Sequence, residues 1–187
     1  MNAHIDITDV VLKTNRLTLR SFHQNDLDDF FRYASIDGVG QMAGWKPHES
    51  KIETQVVLDS FIKKKKTLAL EFQGNVIGSL GIEEYDVKQF PEMKMKKGRQ
   101  IGFVLAKEYW GNGLMVEAVK EVVRYLFEEV GLDFILCGHF IRNHQSQRVQ
   151  EKCGFKPYKK RVYQTKMGDV EESMDNILRK EEWKQNN

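Results

Sequence analysis

Two glycines stand just ahead of a stretch with helical spacing of apolar residues, in the segment YWGNGLMVEA at 109–118. The first four N–H groups of a helix have no partner within it, and the helix dipole adds partial positive charge at the same end. Gly111 and Gly113 let the backbone come close to a ligand, because no Cβ stands in the way. These residue types at this spacing predict an anion site, most often a site for phosphate.

Three phosphate-binding motifs compete with a plain turn at this position. A P-loop requires Gly-Lys followed by Ser or Thr, whereas the chain has Gly-Leu-Met, which excludes it. A dinucleotide-binding turn requires a third glycine where Val116 stands, and it opens the first strand–helix unit of a parallel sheet, whereas several strands precede it here. A pyrophosphate site for coenzyme A is the third motif, and short glycine motifs also occur by chance in simple turns.

The periodicity of the rest of the chain predicts the elements that must position this turn. Strands are expected at 17–22, over TLALEF and NVIGSLGIEEY as a hairpin, and at 99–106, 133–140, 155–166 and 171–180. Helices are expected from Asn25 or Asp26 through Ser35, and at 50–64, 113–129 and 144–152. The strand–helix–strand unit should place its two strands parallel. The pattern predicts one α/β (α+β) domain over 1–187, with a single mixed, mostly antiparallel sheet of about seven strands and about four helices.

Composition is that of an ordinary globular protein, with 41% hydrophobic and 30% charged residues and a formal net charge of +2. A protein that coats DNA is usually far more basic, so no DNA partner is expected. No signal peptide is visible, and no apolar run approaches the roughly 18 residues that span a bilayer, so no membrane partner is expected. Cys137 and Cys153 form no C-x-x-C pair, and they are expected to be buried thiols in a cytoplasmic protein without a metal site.

Two segments taken together are more specific than the glycines alone. IGFVLAKEYWGNGLMVEA, which starts at Ile101, is followed by NHQSQRVQEKCGF from Asn143 to Phe155. In this order and at this distance they resemble the GNAT superfamily of N-acetyltransferases, and specifically its RimJ/RimL branch. The opening TNRLTLRSF resembles the first strand of that branch, and DNILRKEEW resembles its last. The resemblance implies the GNAT fold, with acetyl-CoA as co-substrate and no metal.

The resemblance also implies a set of cofactor-binding residues. They are Phe103, Val104, Leu105, Trp110, Gly111, Asn112, Gly113, Leu114, Met115, Asn143, Ser146 and Lys152. A backbone N–H of the strand holding Val104 and Leu105 would meet the developing oxyanion. Lys152 would meet a phosphate of CoA, or it is a solvated side chain. Two departures from the family pattern are Met115, where glycine or alanine is usual, and Gln100, where an acidic residue is frequent and which cannot act as a base.

The implied reaction is transfer of an acetyl group to a primary amine by direct attack in a ternary complex. Ser146 is the candidate acid for the departing thiolate, and capping a helix is its alternative role. Glu83, Glu84 and His48 are candidate bases, although the glutamates can end a strand in solvent and His48 can pack against Trp45. An α-amine has a pKa of about 7.7–8.0 against about 10.4 for lysine, so the missing acid favours a protein N-terminus of the ribosomal-protein type as acceptor.

The acceptor site is expected in the loops at 37–50 and 86–98, where Trp45 and Phe90 could line a pocket or form the face of a homodimer. The lysine run at 63–66 suits the C-terminal end of a helix dipole, and it could instead contact ribosomal RNA. The alternatives to an N-terminal acetyltransferase are an enzyme that acts on a polyamine or antibiotic, a CoA-binding sensor without turnover, and an RNA-associated protein.

Overall fold

The computed structural model describes residues 1–185, which form one eight-stranded sheet and five α-helices. The strands are Val11–Lys13 (β1), Leu17–Ser21 (β2), Thr67–Phe72 (β3), Asn75–Glu83 (β4), Gly98–Leu105 (β5), Phe134–Phe140 (β6), Lys156–Gln164 (β7) and Val170–Arg179 (β8). The helices are Leu27–Ala34 (α1), Lys51–Lys64 (α2), Leu114–Glu128 (α3), His144–Lys152 (α4) and Lys180–Gln185 (α5). Asn186 and Asn187 of the expected domain lie outside the described residues.

The strand order is β1-β2-β3-β4-β5-β6-β8-β7, and every neighbouring pair is antiparallel except β5 and β6, which are parallel. The mixed, mostly antiparallel sheet and its parallel strand–helix–strand unit are therefore confirmed. The expected counts of about seven strands and four helices each fall short by one. β1 has only three residues, too few for an alternating pattern, and α5 continues directly from the end of β8.

Two hydrophobic cores cover the two faces of the sheet. On one face α1 and α2 pack through residues such as Phe30, Tyr33 and Leu58. On the other face α3 buries an apolar stripe from Leu114 to Phe127 against the inward side chains of the strands. That stripe has the helical spacing visible in the sequence, and its burial fixes where the start of α3 lies relative to β5.

Side chains cap the starts of α2 and α4, whereas Asp26 at the start of α1 forms no side-chain cap hydrogen bond. The Ser50 hydroxyl accepts a 3.2 Å hydrogen bond from the Glu53 N–H at the start of α2. The Asn143 side chain accepts a 3.1 Å hydrogen bond from the Ser146 N–H at the start of α4. Asn143, rather than Ser146, is thus the capping residue, and the Ser146 hydroxyl is left available for another contact.

The lysine run ends α2, as its charge pattern predicts. Lys65 adopts a left-handed conformation with φ of 55° and pairs with Asp6 at 3.4 Å, and Lys66 pairs with Glu84 at 2.9 Å. Among residues 1–185, no helix is both long and apolar enough to cross a membrane.

Candidate active site

A cleft opens where the two parallel strands separate. β5 and β6 pair from Gly98 with Phe134 as far as Ile101 with Cys137, and beyond that level the pairing stops. The gap leads into a cavity of about 540 Å³, lined by the ends of both strands and by the starts of α3 and α4. A volume of this size is typical of small-molecule and cofactor sites.

The edge of β5 that faces the cleft has unpaired backbone groups. The Ala106 N–H donates to the Ile77 oxygen at 2.8 Å, towards β4. Because backbone groups alternate in direction along a strand, the N–H groups of Phe103 and Leu105 point the other way, into the cleft. The Val104 backbone faces β4, where Val104 pairs with Ser79. An extended ligand arm can therefore add to this edge as a further strand would.

The glycine turn joins β5 to α3 and closes one end of the cleft. Gly111 and Gly113 have φ of 80° and 75°, a left-handed conformation that strongly favours glycine. A Cβ at Gly111 would have no atom within 4 Å, so the backbone here is open to a ligand. Met115 turns its side chain into the hydrophobic core and is only 5% exposed, so it does not fill the turn.

Two contacts hold the turn in place. The Trp110 Nε1–H donates to the Leu105 oxygen at 2.7 Å, which ties the turn to the end of β5. Arg16 donates to the Asn112 oxygen at 3.0 Å and to the Glu117 carboxylate at 2.8 Å. The Asn112 side chain bonds back to the carbonyls before it and does not line the cleft, so its role is to hold the turn.

α4 forms another wall of the cleft along its length. Gln145, Arg148 and Lys152 all line the cleft there, and the two cations are one helical turn apart. Ser146 lines the cleft as well, and its Oγ accepts a 3.0 Å hydrogen bond from the Gln150 amide. The start of α3 and the exposed cations of α4 thus form a positively charged end of the cleft.

The opposite end of the cleft contains a buried ion pair. The Arg161 guanidinium on β7 contacts the Asp175 carboxylate on β8, with one N–O distance of 2.9 Å. Asp175 lies beside Gly138 of β6, where an added Cβ would come within 3.0 Å of its Oδ1. Val39, Met42 and Ala43, from the loop at 37–50, complete the wall at this end.

Cys137 also lines the cleft, although its side chain is almost fully buried. Burial raises the pKa of the Cys137 thiol well above its usual range, so the thiol stays protonated near neutral pH. A protonated thiol is a poor nucleophile, and no acyl-cysteine step is favoured in this cleft.

The sequence matches the family described as the acetyltransferase (GNAT) domain over residues 16–156. The chain belongs to the GNAT acetyltransferase family. It is 31% identical over 152 residues to uncharacterized N-acetyltransferase YoaA of Bacillus subtilis, and the matched region covers 78% of this chain and 82% of YoaA. It is 27% identical over 86 residues to putative ribosomal N-acetyltransferase YdaF of the same organism, and the matched region covers 46% of this chain and 43% of YdaF.

Solved structures show the same fold. A GNAT family acetyltransferase from Bacillus anthracis has a TM-score of 0.80 at 19% identity, with 92% of this chain and 99% of that chain covered. The expected GNAT fold is therefore confirmed. With the family established, the chain is an acetyl-CoA-dependent N-acetyltransferase.

The GNAT cleft collects nearly all the cofactor residues expected from the sequence. Those that line it are Phe103, Val104, Leu105, Trp110, Gly111, Gly113, Leu114, Met115, Asn143, Ser146 and Lys152. Asn112 is the exception.

The three candidate bases do not line the cleft. Glu83 is exposed at the end of β4, and Glu84 pairs with Lys66 at the surface. His48 is buried against the rings of Phe30 and Trp45, at centroid distances of 5.5 and 5.3 Å. The structure therefore shows the alternative roles: Glu83 and Glu84 end a strand in solvent, and His48 packs against Trp45.

The loop at 86–98 does not reach the cleft of this GNAT domain. Phe90 is buried in a third core with Tyr85 and Phe134, so it lines neither a pocket nor an exposed dimer face. Trp45 is partly buried and packs against the core of α1 and α2. Of the two loops expected to hold the acceptor, only the loop at 37–50 supplies residues that line the cleft.

Sequence reasoning missed several cleft residues. They are His139, Phe140, Gln145, Arg148, Arg161, Tyr163, Ser173 and Asp175. Two signals were present: a basic pair at i and i+4 in α4, and the polar residues Asp175 and Asn176 between the apolar residues Met174 and Ile177 of β8.

We expect the α4 cations to contribute to CoA affinity. Replacing Arg148 and Lys152 with Gln should raise the Kd for CoA about tenfold at low salt, since each exposed charge contact is worth up to about 1 kcal/mol. Lys120→Gln is the matched control, because Lys120 is an exposed cation of α3 outside the cleft wall. Calorimetric titration at two salt concentrations measures this, and equal affinities for the double variant and the control would contradict it.

We expect His48 to make the fold less stable in acid. Burial lowers the pKa of His48, and the carboxylate of Glu53 opposes this only in part. Because the folded pKa lies below the unfolded value of about 6.5, the unfolded chain binds more protons below that pH, and the free energy of unfolding falls as the pH falls.

His48→Asn is the variant that tests this. It keeps a donor for the Thr54 hydroxyl, which lies 2.9 Å from His48 Nδ1, and it cannot titrate. Urea unfolding at pH 7.5 and pH 5 should show a smaller acid loss in the variant than in the wild type. Equal losses would assign the acid sensitivity to other groups.

Proposed function

We propose that this enzyme is a cytoplasmic, RimJ/RimL-type acetyltransferase of a protein N-terminal α-amine, built as one domain over 1–187. The observation that supports it is the cleft itself, with a free strand edge, a helix start and a polar acceptor end in one line. YdaF, which carries the name of a putative ribosomal N-acetyltransferase, supports the acceptor class by its similarity.

The residues present fit acetyl-CoA. The free N–H groups at the start of α3 and the open backbone at Gly111 suit a pyrophosphate, and Arg148 and Lys152 suit further phosphate charge. The unpaired N–H groups of Phe103 and Leu105 suit an extended amide-containing arm. When bound, acetyl-CoA supplies an activated acetyl thioester.

The residues of the chain then act on the reacting groups. A cleft-facing N–H of β5 stabilises negative charge on the acetyl oxygen. Ser146 lies on the CoA side of the cleft and supplies a hydroxyl for the departing sulfur. The amine nitrogen forms a bond to the acetyl carbon. The carbon–sulfur bond breaks, and its electron pair leaves with the sulfur. The nitrogen loses one proton and the sulfur gains one, so the protons balance. Direct transfer in a ternary complex also agrees with the protonated Cys137 thiol.

The charges at the acceptor end favour a monovalent amine. Asp175 is the one carboxylate among the described residues that line the cleft, and Arg161 neutralises it. A polyamine or aminoglycoside carries several positive charges, and its recognition requires several unpaired carboxylates. An α-amine is substantially neutral near pH 7.5, so it can attack without a strong base, which agrees with Gln100 in the cleft wall.

The first test is CoA thiol release from acetyl-CoA over a panel of N-terminal peptides, polyamines and aminoglycosides. We expect turnover with peptides that present a free α-amine, and little with the polycations. Turnover confined to the polycations would contradict a protein N-terminus as acceptor and would assign a polyamine or an aminoglycoside instead. CoA binding without turnover on any amine would instead support a sensor.

Ribosome association and a homodimer belong to the same proposal. Lys63 and Lys64 at the end of α2 have no ion pair among residues 1–185, and they are the exposed cations that could approach ribosomal RNA. Cosedimentation with ribosomes at low and high salt tests the ribosome association. The molar mass in light scattering tests the homodimer.

A further inference from the structure

A chain of four polar side chains, three of them buried, runs behind the CoA side of the cleft. Gln150 on α4 is fully buried, Asn176 on β8 is 3% exposed, and His139 on β6 is 8% exposed. Gln150 also reaches Ser146, the candidate acid. Both ends of the chain, Ser146 and His139, line the cleft, whereas Gln150 and Asn176 do not.

One backbone carbonyl sets the direction of the whole chain. The Gly138 oxygen can only accept, so the group 3.3 Å from it must be the Gln150 NH₂. The Gln150 oxygen then faces Asn176 at 2.6 Å, and it must be met there by the Asn176 NH₂. The same Asn176 nitrogen lies 3.3 Å from His139 Nδ1, and its second hydrogen is left to donate there. Nδ1 is therefore an acceptor, and the proton of the neutral ring is on Nε2.

The other branch of the chain fixes Ser146. The Gln150 NH₂ donates to Ser146 Oγ at 3.0 Å, so the hydroxyl oxygen is an acceptor there and its own hydrogen remains to be donated. Burial lowers the pKa of His139 below its usual value, and the charge of His144 acts in the same direction. A hydrogen bond with the Gln150 side chain and the carboxylates of Glu151 and Asp175 oppose this only in part, so the ring is mostly neutral near pH 7.

We propose that Gln150 and Asn176 are positioning residues that fix Ser146 and His139 as two hydrogen-bond donors on the CoA side of the cleft, with the His139 donor at Nε2. This inference rests on the proposed function for what the donors do. Ser146 passes its proton to the departing sulfur as the carbon–sulfur bond breaks, and its oxygen takes back the proton that the acylated nitrogen loses. His139 supplies a second donor to the reacting thioester and is not the general base, because neither of its nitrogens is free to take a proton.

The tautomer of His139 is measured first, and it does not depend on turnover. Long-range ¹H–¹⁵N NMR spectra of the full chain without ligand distinguish an Nε2–H ring from an Nδ1–H ring. The protein has five histidines, and the signals that disappear in His139→Gln identify the ring. We expect a single Nε2–H tautomer in the wild type. An Nδ1–H tautomer or a charged ring at pH 7.5 would overturn the proposal.

Asn176→Leu removes the donor to Nδ1 with little change of volume. We expect the single tautomer to become a mixture, whereas a purely structural Asn176 would leave the ring unchanged. An unchanged tautomer in a folded variant would overturn the assignment of Asn176, and the wild-type spectrum stands as the test if the variant does not fold.

Kinetics separate positioning from binding. Ser146→Ala should lower kcat about 100-fold and Gln150→Met about tenfold, with KM for acetyl-CoA within about threefold in both. His139→Leu should lower kcat about tenfold, while His139→Gln, whose amide nitrogen lies near the Nε2 position, should retain most of it. Equal losses in Leu and Gln would contradict a donor role. An Nε2–H ring in a protein that acetylates no amine would preserve the hydrogen-bond assignment and reject the function.

Discussion

Gly111→Asp should raise the Kd for CoA about 10- to 100-fold. The substitution places a carboxylate at the mouth of the α3 anion site, where a Cβ meets no atom within 4 Å and the side chain has room. Repulsion between this charge and a pyrophosphate, together with neutralised helix-dipole potential, is worth about 1.4–2.7 kcal/mol. Calorimetric titration of CoA at low salt measures it directly.

Gly111→Asn is the matched control. Asn and Asp have nearly the same shape, and both tolerate positive φ better than other side chains, so both variants carry the same strain at φ of 80°. Only the charge differs between them. We expect the Asn variant to stay within about fivefold of the wild type, and the gap between the two variants to narrow as salt is added. Equal affinity of the two variants would exclude this turn as the pyrophosphate site.

Arg161→Met should lower the free energy of unfolding by about 3 kcal/mol at pH 7.5, because it leaves a buried carboxylate without its partner. Asp175 has only 3% of its side chain exposed, and the Arg161 guanidinium is its ion-pair partner. Arg161 also donates to Gln89 and lies over the Phe90 ring at 5.6 Å, so it holds the loop at 86–98 against the sheet. Urea unfolding followed by fluorescence measures the loss.

Asp175→Asn tells whether charge or packing is responsible. It removes the buried negative charge, and the Arg161 side chain, which is 20% exposed, can turn its own charge to solvent. We expect Asp175→Asn to cost less than Arg161→Met, and the double variant to be more stable than Arg161→Met alone by at least about 1 kcal/mol. A double variant that is no more stable than Arg161→Met would show that lost packing, rather than the unpaired carboxylate, causes the damage.

These two results would separate the two ends of the cleft. The first concerns the α3 end, which handles the charge of the cofactor. The second concerns the β7–β8 end, where the ion pair of Arg161 and Asp175 lines the cleft. If Gly111→Asp leaves the free energy of unfolding unchanged and Arg161→Met leaves the Kd for CoA unchanged, the two ends of the cleft act independently.

The sequence by itself determined the family, the mixed sheet and the part of the cleft wall that the glycine turn and the start of α4 form. These features depend on contacts that are local in the chain: the glycine turn at Gly111 and Gly113 precedes its own helix, and Asn143 caps the helix that carries Ser146. Because turn geometry and helix capping require particular residue types at short spacing, a pattern of residues can be read as a site.

The tertiary structure decided the part of the cleft wall that β6, β7 and β8 form, and which titratable groups lie in it. Glu83, Glu84 and His48 have the right chemistry for a base, yet strand register and core packing keep them out of the cleft wall. Asp175 and Arg161 meet across two strands, and Gln150, Asn176 and His139 meet from one helix and two strands, although Gln150 and Asn176 are 26 positions apart in the chain. Such contacts depend on which strands are neighbours and in what register, and the β6-β8-β7 order that creates them follows from packing of the whole sheet.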